Sequence, residues 1–220
     1  MSDAQLSSPV APDGPEASVQ VRKRPKPGER RVQILQALAT MLEQPGAERI
    51  TTAALAARLD VSEAALYRHF ASKAQMFEGL IEFIEQSVFT LVNQIVERES
   101  GADGQESEHG VRQAAKVVAM LLQFAEKNPG MTRVMVGDAL VFENDRLQQR
   151  MNQFFDKIES TLKQSLRTPG SDGSATPSVD AQVRASMLTA FVVGRLQRFA
   201  RSGFRRAPSE HLEASLALML

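Results

Sequence analysis

Apolar residues recur every three to four positions along nearly the whole chain, a period that winds onto one face of a helix. Ile34, Leu35, Leu38, Met41 and Leu42 predict a first helix that ends near the breaker run Gln44-Pro45-Gly46. Leu55, Ala56 and Leu59 mark a short second helix opened by Thr51 or Thr52 as N-cap, and a third opens at Ser62 with Leu66 inward. A fourth opens at Ser72, where Ser72 and Gln75 read as a capping box, each side chain bonding the other's free N–H. Met76, Phe77, Leu80, Ile81, Ile84, Val88, Leu91 and Ile95 then run down one stripe for about seven turns.

After a polar break from Gly101 to Gly110, a fifth helix covers Val111 to Lys127 and stops at Asn128-Pro129-Gly130. A sixth spans roughly Thr132 to Phe142. A seventh spans Asp145 to Leu166, with Leu147, Met151, Phe154, Phe155, Ile158 and Leu162 inward. The run from Thr168 to Pro177 has the composition of a flexible loop. Ser178 is expected to cap an eighth helix reaching about Arg201, and Ser209, behind Pro208, a ninth carrying Leu212, Leu216 and Leu220. No stretch alternates as a strand would, and no repeat has a solenoid period. The expected fold class is all-α, with about nine helices.

Composition narrows the chemistry. With 220 residues, 43% of them hydrophobic, the chain can bury a core. The absence of cysteine excludes disulfides, thiolate metal sites and cysteine nucleophiles, and His69, His109 and His211 are scattered. No cofactor and no metal are expected. No phosphate-binding loop, dinucleotide fingerprint or nucleophile elbow is present, so an enzyme is not expected. Pairs of carboxylates such as Glu82/Glu85 and Glu97/Glu99 are expected on solvated helix faces. No apolar run is long enough to span a bilayer and residues 1–30 lack a signal core, so a cytoplasmic protein with no membrane partner is expected.

Net charge is zero, 26 basic against 26 acidic residues, but it is a cancellation of signed blocks. Residues 1–21 carry −3, residues 22–78 carry +4, residues 79–194 carry −4 and residues 195–220 carry +3. Residues 1–28 hold five of the ten prolines and read as a disordered tail ending in a basic arm, Arg22-Lys23-Arg24-Pro25-Lys26-Pro27. A domain over 29–76 and a second over 77–220 follow.

The basic block contains the informative segment, Thr51 to Phe70. A helix-turn-helix needs a small residue facing the partner helix (Ala56), a turn position tolerant of left-handed backbone (Asp60) and apolar pins (Val61, Leu66). Its second helix presents Ser62, Glu63, Ala64, Ala65, Tyr67, Arg68 and His69 outward. Small Ala64 and Ala65 let a helix enter the major groove, where alanine can touch a thymine methyl. Ser62, Tyr67, His69 and Lys73 can reach phosphates, as can N–H groups where helices open, at Thr51-Thr52 and Ser62. The partner implied is double-stranded DNA.

These residues also carry a resemblance. The first helix, the Thr51-Thr52 opening, the hairpin, Ala65-Leu66-Tyr67-Arg68-His69-Phe70, Ser72-Lys73 and the long fourth helix together resemble the N-terminal domain of the TetR family of regulators. The likeness continues through NPGMTRVMVGDALVFENDRLQQRMNQFFDKIE, which resembles the nucleoid occlusion branch of that family. The resemblance implies a nucleoid-associated homodimer on palindromic DNA. It further implies that, once on DNA, the protein engages the C-terminal tail of the division protein FtsZ and prevents septa from closing over the chromosome. It implies a tail site built from Phe83, Leu91 and Asn93 of the fourth helix with Gln123, Lys127 and Asn128 at the end of the fifth. Leu91 stands where that branch carries a basic residue and Gln123 where it carries a small glycine, departures that imply altered tail chemistry.

Phe83, Phe89, Phe124, Phe154 and Phe155 lie at core-like spacing, with a partner-peptide groove as the alternative. Met187, Leu188, Phe191, Val192, Leu196 and Phe199 make an apolar face expected to dimerise, with Gly194 permitting close approach. Arg195, Arg198, Arg201, Arg205 and Arg206 read mainly as a solvated face. No buried polar cluster suits a small-molecule ligand, and none is expected, although a ligand-responsive repressor of the same fold is the rival reading.

Overall fold

The computed structural model describes residues 28–44, 50–100, 106–167 and 177–220, and among these every regular element is helical. The expected tail and basic arm, the breaker at Pro45-Gly46 and nearly all of the loop after Thr168 lie outside the described residues.

Helices α1 (Glu29–Leu42), α2 (Thr52–Arg58) and α3 (Glu63–Tyr67) form the head. Helix α4 (Lys73–Ser100) leaves it as a single rod and enters the body, made by α5 (Glu106–Lys127), α6 (Pro129–Met135), α7 (Asp145–Leu166), α8 (Pro177–Arg201) and α9 (Leu212–Met219). A 3-10 turn at Asp138–Leu140 links α6 to α7.

One continuous core joins head and body. Ile34, Leu38, Leu42, Leu55, Leu66 and Phe70 pack on Met76, Phe77, Leu80, Ile81 and Ile84 of α4, which pass into Val117, Leu121, Phe154, Ile158, Leu188 and Val192 of the body. The T-shaped pairs Phe89–Phe154 and Phe154–Phe155, with centroids 5.6 and 5.1 Å apart, sit in it. Of the five phenylalanines expected there, Phe154 is fully buried and Phe83, Phe89, Phe124 and Phe155 are partly buried against it.

Several boundaries differ from expectation. Leu91 is 38% exposed and Val92 takes its inward place, because a stripe on a 3.6-residue period drifts off a strict spacing of three and four. Helix α5 starts at Glu106, inside the expected polar break. Gly110 allows this close approach to α7, since a Cβ there would lie 2.0 Å from the Ser165 carbonyl oxygen. Helix α5 stops at Lys127 as expected, but α6 follows directly instead of starting near Thr132. Pro129 occupies the first turn of α6, where its missing N–H costs nothing, and the helix ends at Met135. Helix α8 begins at Pro177, one residue before the expected cap. Ser209 is not a helix cap: its N–H and hydroxyl both donate to the Glu126 carboxylate on α5, and α9 starts three residues later, after His211 in left-handed conformation.

The carboxylate pairs are not simply solvated. Glu85 accepts from Arg150 of α7 at 2.7 Å. Glu99 is buried, bonded by Lys116 and 3.5 Å from Arg112, both on α5. The Lys116 hydrogen bond, reinforced by the two positive charges against the opposing cost of burial, holds the Glu99 carboxyl below the usual carboxylate range.

Candidate DNA interface and dimer face

The hairpin is built by its caps. Thr51 is the N-cap of α2, its Oγ1 accepting from the Ala54 N–H at 3.1 Å, and Ser62 is the N-cap of α3, its Oγ accepting from the Ala65 N–H at 3.3 Å. Between them Asp60 has φ 53°, the left-handed position the turn requires, and the Val61 N–H donates to the Ala56 carbonyl at 3.1 Å. Ala56 and Leu66 are buried between the two helices. Ser72 caps the start of α4 through the Gln75 N–H at 3.2 Å, but Gln75 Oε1 accepts from Ala71 N–H at 2.9 Å rather than from Ser72. The box is therefore shifted by one residue on its return bond.

Helix α3 turns Ser62, Glu63, Ala64, Tyr67 and Arg68 to the surface, with Ala65 and His69 half-buried. Tyr67, 45% exposed, donates to Thr52 Oγ1 at 3.5 Å, and Thr52 donates to Glu63 Oε2 at 2.6 Å. The chain ties the start of α2 to α3 and leaves the phenol at the surface. Arg31 of α1 donates to the His69 carbonyl at 2.5 Å and stacks over Phe70 at 4.1 Å, fixing the end of α3 against α1. Nothing in the local sequence pattern marks Arg31, one helix turn before Leu35, because its partners lie 38 and 39 positions away. Lys73 is not an idle cation. It pairs with Glu143, which lies between the 3-10 turn and α7, at 2.5 Å.

On the body, Phe83 lines a narrow apolar crevice with Val32, Leu35, Gln36, Leu80 and Met131, where α1, α4 and α6 meet. Gln123 and Lys127 are exposed one turn apart on α5, and Asn128 is half-buried, its side chain donating to the Phe124 carbonyl at 2.8 Å. Leu91 and Asn93 are both exposed but lie on opposite flanks of the Phe83 meridian, each about 80° from it around the helix. The six residues therefore do not share one helix face.

The expected dimer face divides. Leu188, Val192, Leu196 and Phe199 point into their own chain's core, while Val179, Val183 and Met187, four residues apart, are half-exposed in a row that continues to Gly194, where a Cβ would meet nothing within 4 Å. Helix α9 buries none of its residues although it is strongly apolar, and Leu218 is 90% exposed. Arg195 is a packing residue: it lies 4.9 Å from the Phe191 ring and 3.4 Å from Ser215 Oγ, tying α8 to α9.

A short capped helix-turn-helix on a long rod, joined to a helical body, is the layout of a DNA-binding regulator. Residues 34–80 match the bacterial regulatory proteins of the tetR family, and residues 109–220 match the tetracycline-repressor-like C-terminal domain of the SlmA-like type. The chain belongs to the TetR family. Within it, the chain belongs with the nucleoid occlusion factors SlmA: it is 48% identical to that factor of Idiomarina loihiensis over 86% of this chain and 93% of the relative. It is 50% identical to that of Photobacterium profundum over 84% and 90%. Solved structures share the fold at low identity. A TetR regulator from Legionella pneumophila superposes with TM-score 0.65 at 16% identity, covering 89% of this chain and 98% of the other. The FadR regulator of Bacillus subtilis, solved with stearoyl-CoA, superposes with TM-score 0.61 at 14% identity, covering 86% and 96%. Among the described residues no helix is long and apolar enough to cross a membrane.

If the phenol of Tyr67 touches a phosphate, Tyr67→Ala weakens binding to every DNA sequence alike. A charged contact such as Arg68→Ala additionally lowers the slope of log affinity against log salt by about 0.9 for each protomer, about 1.8 for a bound dimer. A salt titration of both variants by fluorescence anisotropy checks this.

Proposed function

We propose that this protein is a homodimer that binds palindromic sites over the nucleoid through Thr51, Thr52, Ser62, Ala64, Ala65, Tyr67, Arg68, His69 and Lys73. In that state it engages the C-terminal tail of FtsZ and prevents septum assembly there. The observation that carries the reading is the match across the body, residues 109–220, to the SlmA-like type, because that half of a TetR-type chain defines its second partner. The body's packing supports it. The interior between α4, α5, α7 and α8 is filled by Val117, Val118, Leu121, Leu122, Phe154 and Ile158, all at 0% exposure, the place where a ligand-responsive repressor would hold its effector.

The tail site is proposed around the Phe83 crevice. Its walls are apolar but leave little more room than a methyl group takes, so they would grip only the tip of one aliphatic side chain, and Lys127, just before the helix that carries Met131 into the crevice, supplies a cation for a tail carboxylate. Asn128 and Gln123 would lie further along the bound peptide, whereas Leu91 and Asn93, on opposite flanks of α4, would not both reach it. Phe83→Ala is expected to lower affinity for a synthetic FtsZ tail peptide at least about tenfold while leaving DNA binding unchanged, the truncation removing a wall of a desolvated pocket. Anisotropy titrations with labelled peptide and labelled DNA check both arms. Loss of both together would mean that Phe83 only holds the head against the body.

A further inference from the structure

Lys73 opens α4 on the head, and Glu143 closes the link between the 3-10 turn and α7 in the body. Their side chains meet at 2.5 Å although 70 positions separate them, with Lys73 33% and Glu143 9% exposed. The Lys73 ammonium is further placed by the Phe77 ring, 5.7 Å away. Glu143 follows Val141 and Phe142, which stand 70% and 60% exposed, and its N–H is bonded to the Leu140 carbonyl at 3.0 Å. The link thus presents its two apolar side chains to solvent and is fastened to the head by its carboxylate.

The same ammonium sits where the reading above places a DNA phosphate, at the first turn of a helix beside the hairpin. A phosphate arriving there meets a carboxylate already on its cation. Either the carboxylate leaves, or two anions share one ammonium and repel. Both outcomes set Glu143 against DNA.

We propose that Glu143 is an internal competitor for the phosphate at Lys73, so that DNA binding exchanges Lys73's partner and releases the link carrying Val141 and Phe142 from the head. Coupling of this kind is reciprocal: whatever draws Glu143 away raises DNA affinity by the same factor. The proposal rests on the DNA-binding reading of Lys73 and supplies a route by which DNA on the head changes the body.

The test is a double-mutant cycle with full-length protein and a palindromic duplex selected from a random pool by the wild type, at low salt so that weak binding stays measurable. Glu143→Gln is expected to tighten binding about three- to tenfold, the range for a partly exposed ion pair lost from both protomers. In a Lys73→Met background the same change is expected to leave affinity unaltered. Hydrogen exchange of wild-type amides 138–144 is expected to accelerate when DNA is added. Equal tightening in both backgrounds would show a general charge effect and overturn the proposal, as would unchanged affinity for Glu143→Gln with unchanged exchange. A wild-type chain that binds no DNA would overturn the reading of the head, and this inference with it; a wild-type chain that binds DNA while Glu143→Gln alters nothing overturns this inference alone.

Discussion

Breaking the dimer face is expected to cost at least about a hundredfold in affinity for a palindromic site, the gap between specific binding by two heads and the weak binding left to one. The variant is Met187→Glu combined with Leu218→Glu. Both side chains are exposed in the single chain, 50% and 90%, so neither change disturbs the protomer's own core. Val179, Val183 and Met187 on α8 and Leu218 on α9 otherwise leave an apolar surface in water, which a second copy would cover, while Leu212, Leu216 and Met219 of α9 pack on the protomer's own core. A two-fold axis through that face would present two α3 helices to half-sites about one DNA turn apart. Sedimentation velocity at micromolar concentration is expected to show monomers for the variant and dimers for the wild type. Thermal unfolding of the variant at low concentration would match that of diluted wild type. A variant that remains dimeric would move the interface elsewhere.

The second large effect concerns the joint between head and body. Gly130, the second residue of α6, lies against the C-terminal half of α1. A Cβ there would stand 1.9 Å from the Ala39 carbonyl oxygen and 2.8 Å from its carbon. The obstacle is backbone, so no rotamer relieves it, and α1 must separate from α6. Gly130→Ala gains roughly 1 kcal/mol of helix propensity and loses more to the forced separation, for a net destabilisation of about 2–3 kcal/mol. In a chain of this size that lowers the melting temperature by roughly 5–10 °C. Because α1 carries Arg31, which fixes the end of α3, DNA affinity should fall as well. The contrast is Gly194→Ala, where the Cβ meets nothing within 4 Å in the protomer. It should leave the protomer's stability unchanged and act, if at all, only on the dimer. Differential scanning calorimetry of the two variants distinguishes a local clash from a general intolerance of glycine replacement.

Much of the fold is legible in the sequence because it is written in local terms. Helix α7 spans Asp145–Leu166 as its stripe predicts, and the hairpin follows from Thr51, Ser62, Ala56, Asp60 and Leu66, each acting within a few residues of itself. What the sequence conceals is pairing between elements. Ser209 resembles a helix cap until Glu126, 83 positions earlier, claims its N–H and hydroxyl. Glu99 resembles a solvated carboxylate until Lys116 and Arg112 cover it. Lys73 reads as a free phosphate contact, yet Glu143 holds it. The apolar face of α8 reads as one surface, whereas the 3.6-residue period assigns Leu188, Val192 and Leu196 to the core and Val179, Val183 and Met187 to solvent. Asn128-Pro129 ends α5 as its composition predicts, and the same proline also begins α6, which the sequence places three residues later. The expected tail site is the least legible part, since an α5–α6 corner and a crevice walled by α1 exist only after packing.

The proposed action on FtsZ requires that the chain be on DNA. Its most direct test is sedimentation of FtsZ polymers formed with GTP, with the protein added alone, with a selected palindromic duplex, and with a scrambled duplex. A marked loss of pelleted FtsZ is expected with the palindrome, and little change in the other two conditions. Undiminished FtsZ polymer with protein and palindrome together, under conditions where the duplex is shown to be bound, would contradict it.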